Sequence, residues 1–377
     1  MIRMSVPLAM VFGLVFLFRA QAAVPAHRVN GPLADHPPAE PQWSPEMVAR
    51  RAELRRVIAK YYRRPVSARN RSPWEIMHWI IAYGVDTPLL QDRSSADAVT
   101  AIGWLCYNHR GHGQQLLFPA GETVGVQHGP GVEGHGGQFL AVLAQSRVRR
   151  DYPLRVRGKQ FTVADLVDYE KETCQQSAEL TFKLIGLVHY LDSDATWKSR
   201  DGATWTIPRL IREEIAKPIR GAACGGTHRL MGLSYAVRKR AQRSEPIVGE
   251  YRRAATYVKD YQKYAFKLQN RDGSFSTEWF SGRGNRADAA RKMQTTGHIL
   301  EWLVFSLPDS QLQNARVTMA IDFLCQLLDR SGDRDWEIGP LGHALHTLQL
   351  YDRRLFGGTT EDHHPSGTHT VAAGQQP

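Results

Sequence analysis

Gly225-Gly226-Thr227-His228-Arg229-Leu230-Met231-Gly232-Leu233 places small residues and one histidine at the opening of an apolar stretch, and the arrangement returns three more times. It reads Gly134-His135-Gly136-Gly137 before Gln138-Phe139-Leu140, and Thr295-Thr296-Gly297-His298 before Ile299-Leu300-Glu301-Trp302-Leu303. The last copy is Gly339-Pro340-Leu341-Gly342-His343 before Ala344-Leu345-His346, and Ser177-Ala178-Glu179-Leu180-Thr181 is a variant without the histidine. Gly, Ser and Thr suit helix entry and close approach between helices. The histidines call for a second reason.

Working outward, each of these openings heads a helix that is apolar on nearly all sides, as expected where neighbours cover it. Such helices are predicted at about 73–84, 136–146, 178–191, 227–240, 296–307 and 341–352. Between them lie amphipathic stretches at about 45–62, 95–107, 162–173, 207–217, 249–269 and 310–329. In the fifth of these, Tyr251, Ala254, Ala255, Val258, Tyr261, Tyr264 and Ala265 recur mostly at spacings of three and four, the period of a half-buried helix. Strand-period alternation is nearly absent. Six exposed and six enclosed helices, in units of unequal length, predict an all-α fold of the (α/α)6 toroid type, an inner ring of six helices wrapped by six more. An open stack of hairpins would show a fixed repeat. The ring would occupy residues 45–356 of the 377 as one domain, long enough to bury a core without disulfide or metal staples.

Parallel inner helices would bring their N-termini to one end, so His135, His228, His298, His343 and Glu179 would converge at the mouth of a central cavity. Helix N-termini attract anions and favour neutral imidazoles, which can serve as bases or metal ligands. Residues 108–137 carry nine glycines with His109, His112, His128, Glu122 and Glu133, and read as a long functional loop over that mouth.

The ends read differently. Residues 1–22, with Arg3, the apolar run Val6 to Phe18 and Ala20-Gln21-Ala22, have the parts of a secretory signal, an uncleaved anchor being the alternative. Residues 23–44 form a proline-rich leader and 357–377 a polar tail, both expected to be flexible. No integral membrane span is expected in the mature chain. The chain has net charge +11. On an exported protein this points to an acidic polysaccharide or anionic envelope component and away from nucleic acid. The four cysteines, Cys106, Cys174, Cys224 and Cys325, are widely spaced; disulfides and buried free thiols are both open.

Gln269-Asn270-Arg271-Asp272-Gly273-Ser274-Phe275, followed by Trp279, resembles the glutamine/tryptophan repeat of the terpenoid cyclase and protein prenyltransferase superfamily. That resemblance implies the same double ring of helices. The family's catalytic motifs are missing: Asp333-Arg334-Asp335-Trp336 lacks the paired aspartates of the cyclases, and no Asp-x-Cys zinc motif is present. Lanthionine cyclases, another helical toroid, hold zinc with two cysteines and a histidine. Likeness to them implies a zinc site of Cys174, Cys224 and His228, with a Cys174–Cys224 disulfide as the competing use.

The expected function is a lyase or hydrolase acting on acidic polysaccharide, chemistries that require no cofactor. A lyase needs a base, for which His135, His228, His298 and His343 are candidates, and a cation such as Arg229. A hydrolase needs two carboxylates about 5 to 9 Å apart, drawn from Glu133, Glu179 and Glu278. His109, His112, His128, Arg229 and Glu278 are candidate substrate-binding residues. The alternatives are a terpenoid-cyclase-like or prenyltransferase-like protein binding an apolar ligand, with Trp302 and Phe305 lining it, and a non-catalytic binding or scaffold protein.

Overall fold

The computed structural model describes residues 43–92 and 98–358. The predicted signal, nearly all of the leader and the tail from residue 359 lie outside the described residues. From Ser44 onward the described chain belongs to one compact unit.

Twelve α-helices are present among the described residues: α1 (Pro45–Tyr62), α2 (Pro73–Tyr83), α3 (Ala101–Cys106), α4 (Gln138–Gln145), α5 (Val163–Glu172) and α6 (Thr181–Tyr190), then α7 (Ile207–Ile215), α8 (Thr227–Gln242), α9 (Gly249–Lys267), α10 (Ala289–Ser306), α11 (Ala315–Arg330) and α12 (Ile338–Phe356). Their starts follow local chemistry. Ser72 and Glu75 form a reciprocal capping box on α2, with Pro73 at its first turn, which satisfies donors that have no partner inside the helix. Thr206 caps α7 by accepting from the Arg209 backbone N–H. The even-numbered helices are the more buried: α12 has fourteen buried residues, whereas α9, of the same nineteen-residue length, buries four.

The even-numbered helices pack in succession: α2 against α4, α4 against α6, α6 against α8, α8 against α10, α10 against α12, and α12 against α2. Odd-numbered helices lie against even-numbered ones, α9 on α8, α11 on α10 and α1 on α12. The closest approaches are made through glycine. A Cβ on Gly342 of α12 would sit 2.2 Å from the His78 carbonyl oxygen of α2, and one on Gly297 of α10 would sit 3.1 Å from the Ala344 backbone.

The fold is largely α, as the sequence predicts, with 11% strand that the all-α reading left out. β1 (Val66–Ser67), β2 (Pro88–Leu90) and β3 (Ala98–Thr100) form a small mixed sheet. The remaining strands are antiparallel pairs: β4 (Leu117–Ala120) with β5 (Thr123–Val126), β6 (Pro153–Val156) with β7 (Lys159–Thr162), and β8 (Thr196–Lys198) with β9 (Thr204–Thr206). β3, β7 and β9 run directly into α3, α5 and α7. The Arg157-Gly158 turn of the β6–β7 hairpin has both residues at positive φ, 49° and 77°, the conformation that two-residue hairpins favour. Residues 108–137 are likewise not one open loop. They hold the β4–β5 hairpin, tied down by the buried Asn108 side chain, which accepts from the Leu117 N–H at 2.8 Å and donates to the Leu117 carbonyl at 2.9 Å.

Gly342→Ala should destabilise the fold by about 1–3 kcal/mol, since the added methyl meets backbone that cannot rotate away. That loss overrides the gain of about 1 kcal/mol that alanine brings to a helix interior. Urea unfolding of the two proteins measures the difference.

Candidate functional site

Five imidazoles gather where α2, α8, α10 and α12 meet the segment before α4. The ring centroids of His298 and His343 are 3.8 Å apart. His228 lies 5.5 Å from His298 and 5.4 Å from His343, His135 lies 5.6 Å from His228, and His78 lies 5.5 Å from His343. Thus the four histidines predicted from the recurring motif do come together. They do not all sit at helix N-termini, however. His228 is the second residue of α8, but α10 begins at Ala289, where Asp288 caps it, so His298 lies three turns in. His343 lies in the second turn of α12, and His135 precedes α4. The helix-dipole argument therefore applies to His228 alone.

Three ligand-type atoms form a compact group. Those of Cys224, His228 and His298 lie within 4.8 Å of one another. Cys224 stands on the short turn Ala223–Gly226 ahead of α8, with a left-handed backbone at φ 47°, a conformation that costs a non-glycine residue of order 1–3 kcal/mol. The His298 Nδ1 is engaged with the Gln294 carbonyl at 2.7 Å, which leaves Nε2 as the free lone pair. His228 is buried, and neither of its ring nitrogens has a hydrogen-bond partner. A buried polar group in that state costs about 1–3 kcal/mol. Burial and the neighbouring His343 hold the His228 and His298 imidazoles well below their usual pKa, hence neutral. Burial pushes the Cys224 thiol up to about 12, so forming the thiolate calls for a nearby positive charge.

Two carboxylates orient the cluster. Glu179 accepts from His135 Nδ1 at 2.7 Å, fixing the tautomer that exposes Nε2. Glu301 is bonded to His343 Nδ1 at 2.7 Å and to His346 Nδ1. Burial pushes the Glu301 carboxyl up, but His343 and His346 outweigh it and hold the group well below the usual carboxylate range.

Space adjoins the cluster on two sides. A cleft of about 330 Å³ is bordered by Cys224, Arg220, Glu278, Trp279 and Arg291. A central cavity of about 20 Å³ is bordered by His228, His298 and His343 with Phe182, Met231 and Trp302. Arg220 and Arg291 are bonded to the Phe280 and Thr277 carbonyls and form no ion pair among the described residues.

Other predicted residues lie elsewhere. Arg229 is buried in an ion pair with Glu214 at 3.0 Å, so its charge is spent inside the protein and not on substrate. Glu133 is fully buried and accepts from the Phe139 N–H at 2.6 Å, and burial together with Glu170 pushes its carboxyl well up. It anchors the start of α4. His128 lies 3.4 Å from Glu133. His109 is exposed against Trp104 and His112 is exposed. Glu278 reaches the cleft but pairs with Arg286 at 2.8 Å. Cys174 is not in the Cys224 group: its buried thiol donates to the Glu170 carbonyl at 3.3 Å, and all four cysteines are free, so there is no Cys174–Cys224 disulfide. His78, Glu301 and His346 escaped the sequence reading. Their signal was ionisable side chains on otherwise apolar helices, with Glu301 three residues after His298 and His346 three after His343.

No protein-family profile, curated protein or solved structure matches the chain.

Burial and the His343 imidazole pull the His78 pKa down to about 3. A histidine held neutral in the fold takes up a proton on unfolding below its ordinary pKa of about 6.5, so it removes stability as pH falls. Between pH 7 and pH 5 this one ring should account for about 2 kcal/mol of lost stability. In His78→Gln the difference between urea unfolding at those two pH values should shrink by that amount.

Proposed function

We propose that the chain is an exported (α/α)6 toroid with a metal-assisted lyase site for an acidic polysaccharide at one end of its inner helices. The closed succession of even-numbered helices supports the ring, and the basic net charge and the 1–22 segment support export to an anionic substrate. One observation carries the site: Cys224, His228 and His298 converge within 4.8 Å, and His228 is buried with both nitrogens orphaned.

One thiol and two imidazoles form a donor set that suits zinc, with a fourth position open for substrate. A bound zinc ion would supply positive charge to the carboxylate of a uronic acid. Arg220 and Arg291 line the cleft through which that acidic group would enter and add to the attraction. His135, oriented by Glu179, is the base: its Nε2 takes the proton from the carbon beside the carboxylate. The freed electron pair forms a C=C bond to the next ring carbon, and the glycosidic C–O bond there breaks, its oxygen leaving as a hydroxyl that takes the proton back from the His135 imidazolium. Glu179 holds the ring in place and stabilises the imidazolium that results. An apolar isoprenoid ligand is disfavoured by size, because the central cavity of about 20 Å³ is far below the several hundred cubic ångströms such ligands fill.

The purified chain should carry about one zinc per molecule, lost in Cys224→Ala and His298→Ala. Replacement by cobalt should give a thiolate charge-transfer band that is absent from Cys224→Ala; a chain that binds neither ion would overturn the metal site. On acidic polysaccharides the protein should release unsaturated ends absorbing in the ultraviolet. His135→Ala should cut kcat by about 100-fold or more while retaining the metal. Unchanged kcat would remove His135 from the chemistry.

A further inference from the structure

A second cavity, of about 480 Å³, lies where α4, α6, α8, α10 and α12 end, and Gln145, His189, Lys239, Phe305 and Arg353 mark those five helices on its wall. Five cations line it, Arg147, Arg238, Lys239, Arg353 and Arg354, and no carboxylate does.

Cations near helix C-termini are ordinary, because they offset the negative end of the helix dipole. The magnitudes decide whether that is sufficient here. Arg354 is paired with Asp309. The other four form no ion pair among the described residues, and the Arg147, Lys239 and Arg353 side chains form no hydrogen bond either. Five helix ends supply about −2.5 charges at roughly −0.5 each. Against four unpaired cations this leaves a surplus of roughly +1.5, enough for a ligand bearing about two negative charges.

Two further observations point the same way. Arg147 follows the Ser146 cap of α4 with a left-handed backbone, φ 58°. Glycine fits that position freely, while a side chain there costs about 1–2 kcal/mol. What the position gains from arginine is therefore its charge. Burial with Arg354 pulls the Arg238 guanidinium below its usual value, and burial with Arg243 and Arg147 does the same to Lys239; an anion would relieve both. The cavity also has a ring-shaped apolar element. Tyr235 and Phe305 are stacked in parallel with centroids 5.5 Å apart, and Arg238 lies over Phe305 at 5.2 Å. A bare inorganic ion would leave that surface uncovered, while the volume lies in the range of small-molecule sites.

We infer that this basic cavity binds a ring-bearing organic anion of about two negative charges, carrying one phosphate or two sulfate groups, a phosphorylated or sulfated sugar in class. The inference is independent of the metal-assisted reading, since none of the cations belongs to the Cys224 cluster.

Titration calorimetry of the full chain with fructose monophosphate is the test. One-to-one binding that weakens with salt is expected, with unphosphorylated fructose and inorganic phosphate at matched ionic strength each at least about tenfold weaker. Lys239→Ala/Arg353→Ala should weaken binding at least about tenfold with an unchanged or higher Tm, because two like charges are removed and no bond is broken. Lys259→Ala/Arg271→Ala removes the same charge from exposed surface and should bind as the parent does. The inference is overturned by no heat with the monophosphate, by an equal loss in the surface control, by full binding in the cavity variant, or by inorganic phosphate binding as tightly.

Discussion

The contact on which most else rests is the one α12 makes with α2 on one side and α10 on the other. At Gly342 the α12 backbone lies so close to the His78 carbonyl that no Cβ fits between them, and Gly297 gives α10 a similar approach to Ala344. Helices that touch through backbone bring the first atoms of their long side chains to the same depth. His78, His298 and His343, from three different helices, therefore occupy one layer, with the last two rings only 3.8 Å apart. Spread the helices by one methyl group and the rings no longer share a site.

That packing creates an electrostatic problem which Glu301 answers. A carboxylate with almost no exposure is costly unless its oxygens are bonded. Glu301 lends one oxygen to His343 and the other to His346, so α10 and α12 are tied at the same level by charge-assisted bonds. The two sides of this bridge face different surroundings. His343 borders the central cavity with His228 and His298, while His346 borders the basic cavity at the helix ends. One end of the helix assembly thus holds neutral imidazoles and a thiol, and the other holds cations, with a single buried acid between them.

The helices were legible because a period of three to four in apolar residues survives wherever one face is buried. The same signal misplaces ends. The first two turns of α10 carry Arg291, Lys292 and Gln294, which are not fully buried, so the apolar pattern begins only at Thr295, well after the helix itself. Strands of two to four residues are too short for alternation to stand out, which is why β6 and β7 went unread although Arg157-Gly158 marks their turn. The histidines were found through a repeated local pattern. Cys174 was paired with Cys224 through the likeness to lanthionine cyclases, and the third member of the compact group is instead His298, supplied by a helix about seventy residues further along the chain.

What the sequence by itself determined is what neighbouring residues impose on one another: which segments are helical, which are enclosed, and that a histidine stands near glycine in or just before four of them. Tertiary structure decided which side chains meet. Arg229 looked available and is consumed by Glu214, Glu133 looked catalytic and anchors α4, and His78, Glu301 and His346 looked like isolated polar residues but complete the cluster. The physical reason is that pairing of buried groups depends on distances across helix interfaces, set by the volume of every intervening side chain, and one chain's local pattern does not contain those distances.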